Sequence, residues 1–262
     1  MKITAACCVG MLLSVLACQT AAAAVVLEGT RIVHDAGKGR DVTLKAVNSG
    51  ERVALTQAWI DAGDSHARPE DVRTPFRITP SAPRLLQPQE GQAWRITYAP
   101  RPSDAPLPQD RESLFYFNLL DIPPKPTDAQ RGNLLQFAVR TRIKLFHRPA
   151  GLKGRAEEAP ATLTWALHGR EIRIANPSAY HVNLSTLTLP DGTALDLDMV
   201  PPGAHRAVPL PAEAVIPAVL TYTWLDDYGA TRSGNAAIDG TLSPAADASA
   251  RSSSGTEQAD AD

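Results

Sequence analysis

The sequence predicts an all-β protein of two sandwich domains, and three observations carry that prediction. Apolar and polar residues alternate with a period of two along short segments, and turn residues separate those segments about every ten positions. Twenty-two prolines among 262 residues oppose long helices. A stretch with turn chemistry and few apolar residues, Arg148-Pro149-Ala150-Gly151-Leu152-Lys153-Gly154, divides the strands into two sets.

The first set is read in chain order. Asp41–Val47 and Arg52–Ile60 alternate in apolar character. Phe76-Arg77-Ile78 lies between Pro75 and Pro80, and Trp94–Tyr98 is bounded by Gly91 and Pro100. Leu114–Leu120 is a denser apolar run that stops before Pro123-Pro124, and Asn133–Phe146 is long for a strand. The second set comprises Thr162–Trp165, Glu171–Asn176, His181–Leu189, Val219–Trp224 and the weak Ala236–Ile238. Residues 243–262 hold Ala, Ser and Asp without an aromatic or large aliphatic side chain, so this tail is expected to be disordered.

The start of the chain reads as an export signal over residues 1–24. Lys2 supplies a positive charge, Ile3–Ala17 is apolar, and Ala21–Ala24 offers a small-residue cleavage site, leaving Val25 as the first mature residue. Cys7, Cys8 and Cys18 all fall in that segment, so the mature chain is expected to carry no disulfide and no cysteine-ligated metal. A competing reading makes Cys18 a lipidated residue after Val15-Leu16-Ala17. No later segment approaches the roughly 20 apolar residues of a membrane span. A formal net charge of −2 gives no bulk attraction to nucleic acid.

The most informative segment is Asn133–Phe146. Leu135, Phe137, Val139, Ile143 and Leu145 share one parity, whereas Gln136, Arg140, Arg142 and Lys144 share the other. On a pleated strand the two sets face opposite sides. The apolar parity either fills the protein's own core or is offered to another chain by strand addition to an open sheet edge, where main-chain bonds give affinity and alternate side chains fill pockets. An exposed edge also invites weak self-association of the free protein.

Several motifs resemble those of the PapD-like periplasmic chaperones of the chaperone–usher pathway. They are Thr30-Arg31-Ile32, Leu107–Tyr116, Arg142–Pro149, Met199-Val200-Pro201-Pro202 and Asp226-Asp227-Tyr228-Gly229-Ala230. The resemblance implies two immunoglobulin-like domains in a boomerang arrangement, here residues 25–148, which carry the donor strand, and 149–242. It implies a protein that holds incomplete pilus subunits, lends them a strand through Leu135, Phe137 and Val139, and passes them to an outer-membrane usher. Arg31 and Lys144 then map onto the pair of cations that anchors a subunit's C-terminal carboxylate. Glu112, Arg148 and Asp227 map onto an ion network between the domains. Lys144 lies five residues past Val139 and so on the opposite parity; either a bulge brings the two together or they use different walls of the cleft. The modest connection from Ile122 to Asn133 resembles the short-loop branch of the family.

An enzyme is disfavoured. No G-x-S-x-G elbow, P-loop or H-E-x-x-H occurs, and His34, His66, His147, His168, His181 and His205 show no metal-ligand spacing. No catalytic residue, metal or cofactor is therefore expected. The alternative to a chaperone is a secreted structural or carbohydrate-binding sandwich module.

Overall fold

The computed structural model describes residues 24–124, 137–215 and 219–238. The export-signal reading, apart from Ala24, and the tail reading of residues 243–262 lie outside the described residues.

The described residues of the first half form nine strands: β1 (Val25–Leu27), β2 (Arg31–Asp35), β3 (Asp41–Asn48), β4 (Ala54–Asp61), β5 (Phe76–Thr79), β6 (Arg84–Leu86), β7 (Gly91–Tyr98), β8 (Ser113–Ile122) and β9 (Val139–Arg148). They build two sheets, in the orders β1-β3-β7-β5 and β2-β9-β8-β4-β6. Alternation explains which residues meet between them. β7 buries Trp94 and Ile96 and exposes Ala93 and Arg95; β8 buries Phe115, Phe117 and Leu119 against the same core, with Leu44, Ala46, Ile60 and Leu145. The start of β1 is tied down by buried Asp121, whose Oδ2 accepts the amides of Ala24 at 3.0 Å and Val25 at 3.2 Å.

The second half forms β10 (Thr164–His168), β11 (Glu171–Ala175), β12 (Asn183–Thr188), β13 (Ala194–Asp196), β14 (His205–Pro209), β15 (Val219–Leu225) and β16 (Thr231–Ala237), after a short 3-10 turn at Ala159–Thr162. Its sheets run β10-β11-β14 and β13-β12-β15-β16, and they close over Trp165, Ile172, Ile174, Leu187, Leu220 and Tyr222. The chain is thus an all-β protein of two sandwiches, each with its own core. No helix among the described residues is long and apolar enough to cross a membrane.

Among the described residues, all strand pairs are antiparallel except one. β2 runs parallel to β9, with Arg31 opposite Lys144 and Asp35 opposite Arg148. β2 is therefore a short lane along one half of a longer strand.

Candidate functional site

β9 has two neighbours along only part of its length. β8 pairs with all but its last residue, from Asp121 opposite Val139 to Ser113 opposite His147. β2 covers only Lys144–Arg148. Among the described residues, the second edge of Val139–Ile143 has no strand beside it. The apolar parity divides at this point. Ile143 and Leu145 lie in the sandwich core, Val139 is half-buried, and Phe137, just before the strand, is 59% exposed. Leu135 lies outside the described residues. One parity therefore serves the protein's own core at its C-terminal end and faces outward at the other.

The register between β8 and β9 is unbroken from Val139 to His147, so no bulge separates Val139 from Lys144. Lys144 therefore lies on the opposite face from Val139. Arg31 lies directly across the parallel rung from Lys144, which puts the two cations side by side. The Arg31 Nη1 donates to the carbonyl of Leu225 at 3.2 Å, while its buried Nε has no hydrogen-bond partner among the described residues. Burial lowers the pKa of Arg31, against the opposing charges of Asp227 and Asp226. The Lys144 Nζ donates to Asn183 Oδ1 at 3.0 Å. Burial lowers its pKa too; Asp198 pulls the other way, and the charges of Arg31 and Arg206 add to the depression. Two partly desolvated cations and an orphaned guanidinium N–H form a site for an anion, and a carboxylate suits the fork of Arg and the point charge of Lys.

Glu112, Arg148 and Asp227 come together from three distant parts of the chain. The Arg148 Nε and Nη2 both reach Glu112 Oε1 at 2.8 Å, and Nη1 lies 3.0 Å from Asp227 Oδ2. His181, from the second half, joins them: its amide donates to Glu112 Oε2 at 2.8 Å and its Nδ1 lies 3.1 Å from the same oxygen. Burial alone would push the Glu112 carboxyl up, but the bonds from His181 and the charge of Arg148 hold it below its usual value. Neither His181 nor Asn183 stood out in the sequence. Each acquires its partner only across the junction, a distance that no local pattern records.

A third cluster was also missed. Asp61, fully buried at the end of β4, accepts from Arg142 Nη2 at 2.7 Å and from Asn118 Nδ2 at 2.8 Å. Arg140 Nη2 donates to Asn118 Oδ1 at 2.7 Å, its guanidinium lies 4.8 Å from the Trp59 ring, and that of Arg142 lies 3.4 Å from the Tyr116 ring. These bonds staple the half of β9 that lacks a second strand to β8 and β4. Among the described residues no group of three or more His, Cys, Asp or Glu side chains is placed to hold a metal ion.

Comparison with known proteins points one way. Residues 24–153 match the pili and flagellar-assembly chaperone family, PapD N-terminal domain, and residues 158–236 match the pili assembly chaperone PapD, C-terminal domain. Chaperone protein HifB of Haemophilus influenzae is 38% identical over 221 residues, 83% of this chain and 89% of that one. The probable fimbrial chaperone YadV of Escherichia coli is 36% identical over 226 residues, 82% of this chain and 89% of that one. The crystal structure of the Pseudomonas aeruginosa CupB2 chaperone superposes with a TM-score of 0.67 at 32% identity, covering 82% of this chain and all of that one.

Proposed function

Because this chain belongs to the PapD family of pilus-assembly chaperones, we propose that it holds a pilus subunit by the subunit's own C-terminus and lends it a strand from β9. It is a chaperone of pilus subunits. The observation that carries it is that the open edge of Val139–Ile143 ends at the two cations, Arg31 and Lys144. A guest whose terminal carboxylate sits there and whose backbone follows the open edge must run in the same direction as β9. It occupies the lane that β2 continues, stopping where β2 begins. Backbone bonds along the edge supply affinity, and the carboxylate fixes the register. Phe137 and Val139, with Leu135 ahead of them, enter the groove left by the strand the guest lacks; each fully buried apolar side chain contributes roughly 1.5–3 kcal/mol.

Glu112, Arg148 and Asp227, with His181, fix the angle between the sandwiches, which domain boundaries near 148 and 242 enclose. Such a network specifies geometry more than it adds stability. The export-signal reading of residues 1–24 supports a periplasmic location, from which the loaded chaperone delivers its subunit to an outer-membrane usher.

Periplasmic co-expression with a pilus subunit tests the reading. Lys144→Ala is expected to fold normally and to weaken capture by about 2–5 kcal/mol, since a desolvated charge loses its partner. Phe137→Asp is expected to reduce subunit yield as well. Unchanged yield in both variants would remove this edge from the function, and glycan binding without a subunit would favour a carbohydrate module.

A further inference from the structure

The two cations of the anchor rest on the second sandwich in an ordered way. Arg31 and Lys144 are directly opposite each other in β2 and β9. Their partners, Leu225 and Asn183, are directly opposite each other in β15 and β12. Arg31 Nη1 donates to Leu225 O, and Lys144 Nζ donates to Asn183 Oδ1. One rung of the first sandwich is thus docked on one rung of the second. A bulge between Leu184 and Thr186 breaks the β12 register one rung after Asn183, an irregularity of the kind that re-aims side chains.

We propose that Asn183 is a positioning residue of the carboxylate anchor: it holds the Lys144 ammonium beside Arg31 while leaving its charge free for the guest. The proposal rests on the reading of Arg31 and Lys144 as that anchor. The chemistry of the side chain suits that role. An ammonium only donates, so the amide turns its oxygen toward Nζ. A neutral carbonyl fixes the position of Nζ but does not cancel its charge. An aspartate in the same place would be equally well bonded and would occupy the cation permanently. An alanine would leave a long flexible side chain without its tether, beside the like charges of Arg31 and Arg206 and the acidic Asp198. Asn183 is buried and sits on the second sandwich, so it also makes the anchor geometry depend on how the two sandwiches meet.

The test uses the full chain and a short synthetic peptide copying a pilus subunit's C-terminus, as the free acid and as the C-terminal amide. The wild-type chain is expected to bind the acid at least about tenfold more tightly than the amide. Asn183→Asp is expected to melt at or above the wild-type temperature and yet to lose most of that preference, because its carboxylate stands in for the guest's. Asn183→Ala is expected to lose preference by weakening the acid alone. Retention of the wild-type preference by Asn183→Asp, or an equal loss of affinity for both peptides, overturns the proposal and leaves Arg31 and Lys144 as the anchor. No preference in the wild-type chain would overturn the anchor reading itself, and Asn183→Asp decides the matter if Asn183→Ala does not fold.

Discussion

Single side chains in this protein carry roles that their neighbours decide. His34 and His147 are both almost fully buried and face each other across the β2–β9 rung, with Nδ1 atoms 3.0 Å apart. The Nε2 of His34 lies 2.9 Å from the carbonyl of Arg40. A carbonyl only accepts, so that nitrogen bears the proton and His34 Nδ1 accepts from His147. Tyr98 stacks on His147 at 4.2 Å, and Phe76 meets it edge-on. Burial, and then the nearby His34, push the pKa of His147 down to about 4. The folded value lies below the unfolded one, so the unfolded chain takes up the proton first as pH falls. This group's contribution is full above about pH 6.5, declines as pH falls toward about 4, and amounts to roughly 3 kcal/mol. Urea midpoints between pH 7 and pH 5 are expected to fall steeply in the wild-type chain and less in His147→Gln, which donates but does not titrate. The sequence placed both histidines without showing that they meet, because no residue-scale pattern spans the 113 positions between them.

The strands legible in the sequence were those whose alternation faces a core on one side. β3 and β4 fall on the segments that alternation marks, β7 and β15 on segments read as strands, and β8 on the denser apolar run Leu114–Leu120. β2 was legible as a motif but not as a strand: Arg31-Ile32-Val33-His34-Asp35 mixes charge into five residues, and a parallel partner 113 positions away supplies its bonds. β14 was missed because Val208 is its only fully packed side chain and Pro209 closes it. Within β9, period two gave the faces correctly but could not show how far a second neighbouring strand reaches; the extent of β2 shows that. Every second amide of Val139–Ile143 points to the open edge. Those amides are expected to exchange rapidly in the free chain and to become protected when a subunit binds, which hydrogen exchange measures. The same edge is expected to support a weak dimer that sedimentation detects in the free chain and that a bound subunit disperses.

At the scale of the whole molecule, the two sandwiches are joined by contacts that neither half encodes alone. Charged residues near a motif could be nominated from sequence, as Glu112, Arg148 and Asp227 were, but His181 and Asn183 required the docked arrangement. The turn between β15 and β16 shows how tight that docking is. Gly229 has φ +84, and a Cβ there would lie 2.6 Å from the Thr30 hydroxyl, next to the first residue of β2. Gly229→Ala is expected to cost about 1–2 kcal/mol for the left-handed backbone and to push the turn away from Thr30. Thermal melts should show Thr30→Ala restoring part of the loss, the non-additivity expected of residues in contact.

The parallel pairing of β2 with β9 has a consequence for cargo design. In the proposed binding mode β2 fills the continuation of the guest's lane along β9 and acts as a buffer stop: a guest that extends past its terminal acid collides with the chaperone's own backbone. Affinity tags fused to the tail end of a pilin are therefore expected to abolish loading, whereas the same tags at its front end are tolerated.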